Sequence, residues 1–228
     1  MKTTRIEGGG EAFELVTLEA ARPARIALFA AGGGGDPARH EPLLAALAGA
    51  GCVVVAPRAE RMTAQPSEAQ LLERARRLRR AIEEAARPEL PVVGVGHSIG
   101  AMLLLALAGA QAWLGPGHPL PLPVEPRLAR IALLAPTTGW FDAPGAWDAV
   151  DAPILAWAGA RDPITPPLHA ERIARALEGR GPVDVRVAPE AGHFTFMDSP
   201  PPGTTEPHPD RAALLAEVAA DVCRFVQS

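Results

Sequence analysis

The run Pro91-Val-Val-Gly-Val-Gly-His-Ser-Ile-Gly-Ala-Met-Leu-Leu-Leu-Ala-Leu-Ala-Gly-Ala110 decides how this chain is read. Pro91 to Gly96 (PVVGVG) is a short apolar stretch of the kind found in strands buried on both faces. Ala101 to Ala110 is apolar throughout and reads as a helix. Between them lies Gly96-His97-Ser98-Ile99-Gly100, which fits G-x-S-x-G. A serine at a strand-to-helix turn is held in a strained conformation, exposed at the carboxyl edge of the sheet. Glycines flank it because the two backbones approach too closely there for a Cβ. The helix N-terminus behind Ser98 favours negative charge developing on a substrate oxygen. In a Gly-rich chain the pattern alone says little, and an incidental serine in a structural turn is the competing reading. The placement between strand and helix gives it weight.

The same rhythm continues outward in both directions. Phe13 to Leu18, Arg25 to Ala31, Cys52 to Ala56, Arg130 to Ala135, Ala152 to Ala158 and Val183 to Val187 read as further strands. Helices are expected over His40 to Ala50, Ser67 to about Arg87, Leu168 to Leu177 and Asp210 to Val226. Ser67-Glu68-Ala69-Gln70 has the form of a capping box, and Pro88 ends the helix it opens. Strands alternating with helices predict an α/β fold with a mostly parallel sheet covered on both faces. Gln111 to Pro126 and Ser199 to Pro209 are proline-dense and read as extended surface loops. The run Arg74-Ala75-Arg76-Arg77-Leu78-Arg79-Arg80 stands beside Glu73, Glu83 and Glu84 at helical spacings. It reads as a solvated outer face rather than a nucleic-acid patch, since no aromatics interleave for stacking.

Serine at its ordinary pKa is a poor nucleophile and needs a base with an orienting acid. Asp162 follows the Ala152 to Ala158 strand in Gly159-Ala160-Arg161-Asp162-Pro163-Ile164. His193 follows the next strand in Pro189-Glu190-Ala191-Gly192-His193-Phe194. Catalytic groups of parallel sheets collect at the strands' carboxyl ends, so Ser98, Asp162 and His193 are expected to meet there as nucleophile, orienter and base. Asp142, Asp148 and Asp151 are the rival acids, and Glu190 is too close to His193 in sequence. Among the other histidines, His97 should point away from Ser98, and His40 could line the site. His118 and His208 fall in proline-rich loops, His169 on an outer helix. An oxyanion needs backbone N–H donors. One is expected from Ile99 and the other from the run Gly32 to Gly35, with Gly33 first and Gly32 or Gly34 next. The glycine run lacks the G-K-[ST] and the acidic partner of phosphate and dinucleotide loops.

The pentapeptide Gly-His-Ser-Ile-Gly, the stretch Gly-Ala-Arg-Asp-Pro-Ile-Thr-Pro and the motif Ala-Gly-His-Phe together resemble the α/β-hydrolase superfamily, from about Phe13 to Phe225. Gly-His-Ser-Ile-Gly followed by Leu-Ala-Leu-Ala-Gly-Ala, with Gly-His-Phe-Thr-Phe-Met-Asp, is similar to its dienelactone-hydrolase-like and esterase group. The resemblance implies a sheet of about seven to eight strands, in one domain spanning residues 1–228. It also implies Ser98 as nucleophile, His193 as base and Asp162 as orienter. Two positions depart from it. Ala31-Gly32 stands where many members carry His-Gly. Position 98 is serine where dienelactone hydrolases proper use cysteine, so that named activity is not carried over.

The expected reaction is cleavage of a small or medium carboxylic ester through an acyl-enzyme. Thioester, lactone or peptide cleavage on the same triad, or a non-catalytic binder of the same fold, are the alternatives. Ala135 to Asp151 leaves room for little more than a loop, so minimal or no cap is expected. Trp140, Phe141 and Trp147 within it could form an acyl-binding wall, or simply anchor the loop against the sheet. The remaining composition is restrictive. The chain has 228 residues, a formal charge of −4 and 48% hydrophobic residues, which fits one globular domain and disfavours a phosphate-backbone partner. No leader-like apolar region opens it, and no uninterrupted apolar stretch reaches ~18 residues, so no membrane span is expected. Cys52 and Cys223 form no metal-spaced pair, which suits reduced thiols and a cytoplasmic setting. No metal or cofactor is implied, because no His/Cys/carboxylate cluster has ligand spacing. Oligomeric state leaves no trace in the sequence.

Overall fold

The computed structural model describes residues 1–8, 10–63 and 65–228. Its elements in chain order are β1 (Lys2–Ile6), β2 (Phe13–Leu18), β3 (Arg25–Ala30), α1 (Glu41–Gly49), β4 (Cys52–Pro57), α2 (Glu68–Glu84), β5 (Val92–His97) and α3 (Ile99–Leu107). They continue with β6 (Trp113–Gly115), β7 (His118–Pro119), β8 (Leu128–Leu134), β9 (Ile154–Gly159), α4 (Leu168–Ala176), β10 (Val183–Ala188) and α5 (Arg211–Gln227). Short 3-10 turns cover Pro37–His40 and His193–Phe196.

Eight strands form one sheet in the order β1-β2-β4-β3-β5-β8-β9-β10. β1 and β2 pair antiparallel, β2 runs antiparallel to β4, and every other pairing is parallel. The inner strands obey the period of two. Ile26, Leu28 and Ala30 face one core with Ile131, Leu133, Ile154 and Ala156, beneath α2, α3 and α4. Ala27 and Phe29 face the other core with Val93, Val95, Leu134 and Leu155, beneath α1 and α5. Continuous apolar runs are therefore two interleaved half-patterns, one for each face. From β3 the chain crosses over α1 to β4 on one side, then over α2 to β5 on the other. The sheet reverses its direction of growth between β3 and β5, and the loops leaving those strands open a crevice at their carboxyl ends.

α2 carries the expected capping box, with Ser67 Oγ accepting from the Gln70 N–H and the Gln70 side chain accepting from the Ser67 N–H. Its arginine run departs from the sequence reading. Arg76 and Arg80 are exposed, but Arg74 and Arg77 are only 6% and 3% exposed. Both fall on the stripe of Leu71, Ala75, Leu78 and Ile82, three or four residues apart. Their stems lie with the apolar side chains while their guanidinium groups find oxygen acceptors. Two further corrections concern strands. Lys2–Ile6 adds the antiparallel β1 at the sheet edge, and the proline-rich stretch after α3 contains the small ribbon of β6 and β7. Among the described residues no helix is long and apolar enough to cross a membrane.

Candidate active site

α3 begins where β5 ends, with Ser98 between them. Ser98 has φ +56° and ψ −121°, outside the comfortable regions for a residue with a Cβ. The cause is crowding on either side. A Cβ on Gly100 would stand 2.1 Å from the Ala30 carbonyl oxygen, and one on Gly96 would stand 2.9 Å from the Gly100 carbonyl carbon. With both glycines the helix packs directly on β3 and β5, and the turn has only one way to go. The Ser98 N–H donates to the Leu134 carbonyl at 2.9 Å, tying the turn to the neighbouring β8.

Asp162 and His193 arrive from the adjoining strands. His193 is buried and its Nε2 lies 3.0 Å from Ser98 Oγ, while its Nδ1–H donates to Asp162 Oδ2 at 2.8 Å. Asp162 belongs to a tight turn after β9. Its Oδ1 accepts from the N–H groups of Ile164 and Thr165, each at 2.8 Å, in the manner of an aspartate that bonds the backbone ahead of it. Burial opposes ionisation of this carboxyl. Hydrogen bonds from His193 and Thr165, with the charge His193 can carry, outweigh it and hold the pKa down to about 2. The carboxylate is thus ionised across the neutral range, oriented on the histidine.

Thr165, Thr195 and Glu206, which the sequence did not single out, hold this half of the site together with His97. Thr165 Oγ1 lies 2.8 Å from Asp162 Oδ2, 3.1 Å from the Ala135 carbonyl and 3.0 Å from His193 Nδ1. It therefore touches both members of the pair. His97 points away from Ser98, and its Nε2–H donates to the His193 carbonyl at 3.0 Å. Burial, reinforced by the neighbouring His193 and His40, pushes its pKa far below the ordinary value and keeps the ring neutral. Behind the histidine, the Thr195 hydroxyl accepts from the Gly192 N–H at 2.8 Å and donates to Glu206. Glu206 pins the proline-rich 199–209 loop against the turn that carries His193. The signal for Thr165 was legible in principle, as an Asp-x-x-Thr spacing within Asp-Pro-Ile-Thr.

The rival residues go elsewhere. Asp142 pairs with Arg172 at 2.7 Å, Asp148 lies 3.8 Å from Arg180, and Glu190 pairs with Arg161 at 2.7 Å. His118 bonds Glu68 and His169 bonds Thr138. His40 is fully buried rather than lining a cleft, packed between the tilted rings of Phe29 and His97 with ring centroids 4.9 and 5.3 Å away.

The glycine loop stands at the expected edge. Gly32 is buried beside Ser98, Gly33 is half-buried and Gly34 is exposed. A Cβ built on Gly32 would lie 3.5 Å from Ser98 Cβ. Ile99 occupies the first position of α3, where the N–H has no intrahelical acceptor. The three loop aromatics are arranged differently. Phe141 is buried, packs on Trp147 at 4.9 Å between ring centroids, and accepts from the Trp147 Nε1–H through its carbonyl at 3.2 Å. Trp140 and Trp147 pack against the core beneath α2 to α4. Phe141 and Trp147 line a cavity of about 530 Å³ with Thr138, Arg172, Arg175 and Arg180, a lining that includes neither Ser98 nor His193. The structure thus joins Ser98, His193 and Asp162 and seats the glycine loop beside them, and it does not add these aromatics to the group. Among the described residues no cluster of three or more His, Cys, Asp or Glu could hold a metal ion.

No protein-family model matches this chain, and no curated protein matches it. Solved structures do. It is similar over 99% of its length, at 17% identity and a TM-score of 0.69, to Thermogutta terrifontis esterase 2 phosphorylated by paraoxon, covering 92% of that chain. A protein of unknown function from Agrobacterium tumefaciens matches with a TM-score of 0.70 at 12% identity, over 99% of this chain and 97% of that one. An alpha-beta serine hydrolase homologue from Coxiella burnetii matches with a TM-score of 0.63 at 14% identity, over 97% of each chain. The chain has the α/β-hydrolase fold.

Proposed function

We propose that this protein is a serine hydrolase that cleaves carboxylic esters of small or medium acyl groups. The observation that carries the reading is the unbroken row from Ser98 Oγ through His193 to Asp162, at 3.0 and 2.8 Å, with the serine on a strained turn at a helix N-terminus. Ser98 attacks the ester carbonyl while His193 Nε2 takes its proton, and Asp162 stabilises the imidazolium that forms. The N–H groups of Ile99 and Gly33 receive the tetrahedral oxyanion. His193 then gives its proton to the leaving alcohol, and water attacks the acyl-enzyme by the same route. Two free thiols, Cys52 and Cys223, support a reducing, cytoplasmic setting.

Paraoxon phosphorylates the structurally similar Thermogutta esterase, which makes it a suitable probe. Wild type, Ser98→Ala and His193→Ala are incubated with paraoxon, and each is examined by intact mass and peptide mapping. In parallel, p-nitrophenyl acetate and butyrate turnover is followed. A single diethylphosphoryl adduct on Ser98, lost in Ser98→Ala and strongly slowed in His193→Ala, together with ester turnover, is the expected result. Folded wild type that forms no adduct and turns over neither ester would overturn the proposal.

A further inference from the structure

Four consecutive glycines offer no side chain to aim their amides, yet an oxyanion site requires donors fixed in advance. The constraint comes from α2. Arg74 reaches out of its buried position to the loop after β3. Its Nη1 donates to the Gly32 carbonyl at 2.8 Å and the Ala31 carbonyl at 3.5 Å, and its Nη2 to the Gly33 carbonyl at 3.1 Å. The same Nη2 donates to the Glu60 carbonyl at 2.5 Å. The Met62 N–H adds a bond to the Gly33 carbonyl at 2.8 Å, and the Gly35 N–H closes a turn onto the Gly32 carbonyl at 3.0 Å.

No peptide here is cis, and across a trans peptide the C=O and the next N–H point in opposite directions. Pinning the Gly32 carbonyl on Arg74 therefore turns the Gly33 N–H away from the guanidinium. Pinning the Gly33 carbonyl does the same for the Gly34 N–H. Among the described residues neither amide meets an acceptor. A Cβ on Gly33 or Gly34 would meet nothing within 4 Å, so the loop is open there, while the preceding Gly32 abuts Ser98.

We infer that Arg74 is the positioning residue of the oxyanion site, holding the glycine loop by its carbonyls so that the Gly33 amide, with Gly34 behind it, is presented at Ser98. The inference rests on the hydrolase reading above and deepens it. Arginine suits the task because its planar fork spans neighbouring carbonyls at once, which a lysine ammonium does not. Burial lowers its pKa to about 10, so the group stays cationic at neutral pH. Its charge polarises the Gly32–Gly33 and Gly33–Gly34 peptides, whose carbonyls it bonds, and strengthens the N–H groups at their far ends.

The test compares Arg74→Met and Arg74→Lys with Arg76→Met, an exposed arginine on the same helix. Each is assayed for kcat and KM on p-nitrophenyl acetate, and for inhibition by a trifluoromethyl ketone that forms a tetrahedral adduct with serine. In Arg74→Met, kcat is expected to fall about 10²-fold, with the ketone's inhibition constant rising in parallel and KM within about threefold. Arg74→Lys should lie between it and wild type, and Arg76→Met should match wild type. A folded Arg74→Met with kcat and ketone affinity within about threefold of wild type would overturn the inference. A second measurement needs no variant. In ¹H–¹⁵N spectra of wild type, the Gly33 amide proton is expected to move downfield when the ketone adduct forms, and an adduct that leaves it unmoved overturns the assignment. Wild type that neither turns over ester nor takes up ketone or paraoxon overturns the hydrolase reading itself, and this inference with it.

Discussion

The two halves of the site are built in different ways. The half around Ser98 is made of backbone: glycines at 96 and 100 that let strand and helix touch, a serine forced into positive φ, and a loop of glycines held by its carbonyls. The half around His193 is made of side chains. Asp162 grips two N–H groups and the imidazole, Thr165 touches both partners, and His97 takes the histidine's carbonyl. At Gly96 and Gly100 the first half tolerates no added atom, whereas the second depends on which atom carries which proton. Crowding the strand-to-helix turn of the first should appear as lost stability, and damage to the second as altered chemistry or pH response.

The largest effect is expected from Asp162→Asn, which keeps the shape of the side-chain half and changes its proton bookkeeping. The amide favours the wrong tautomer of His193, and kcat on p-nitrophenyl ester should fall on the order of 10⁴-fold with thermal stability much less affected. In wild type the carboxyl pKa is depressed from 3.8 to about 2. Its contribution to stability is therefore complete above about pH 4 and is lost only as pH falls toward 2. Gly100→Ala attacks the backbone half. The new Cβ would lie 2.1 Å from the Ala30 carbonyl oxygen, and urea unfolding should show a loss of more than about 3 kcal/mol. Gly33→Ala, with open space around it, should stay within about 0.5 kcal/mol of wild type in the same assay. That contrast separates crowding from composition.

A third experiment probes the histidines behind the side-chain half. His40 is wholly buried, and burial lowers its pKa to about 4. The unfolded chain, with an ordinary imidazole, takes up a proton near pH 6.5 that the folded chain refuses. Stability should therefore be full above about pH 6.5 and decline by about 3 kcal/mol on the way to pH 4. His40→Leu should remove this share of the decline in a series of thermal melts and leave the share of the equally buried His97. An unchanged pH slope in the variant would move the acid sensitivity to another group.

This division also explains what could be read from the chain alone. The backbone half announces itself locally: G-x-S-x-G, the glycine run and the apolar strand are each contained in a few consecutive residues. Strands β3 to β5, β8 and β9 were legible for the same reason, since strands buried on both faces are short apolar runs closed by Gly or Pro, and β2 and β10 were legible from their alternation. β1 was not, because Lys2–Ile6 sits at an edge with mostly exposed side chains and is strand only through its pairing with Phe13–Leu18. Asp162 and His193 were reached through their places after successive strands. Of their supports, Thr165 left a local trace in its spacing from Asp162, whereas the part His97 plays is a contact made across 96 residues of chain. Arg74 shows the same limit most sharply. In sequence it is one of several arginines on a helix, and its burial is decided by carbonyls 41 to 43 residues earlier.

The backbone at Ser98 has one more consequence. A φ of +56° is tolerable to glycine and awkward for serine, with a cost of order 1–3 kcal/mol at such positions. The fold carries that load at Ser98, as it does at Ala86 and Ala135. Replacing Ser98 by glycine relieves the torsion and forfeits the hydroxyl, and after glycine's extra freedom in the unfolded chain is subtracted a net gain of about 1 kcal/mol remains. The Ser98→Gly protein should outlast its parent on heating, its added heat resistance a measure of what the molecule gives up to keep a hydroxyl at that turn.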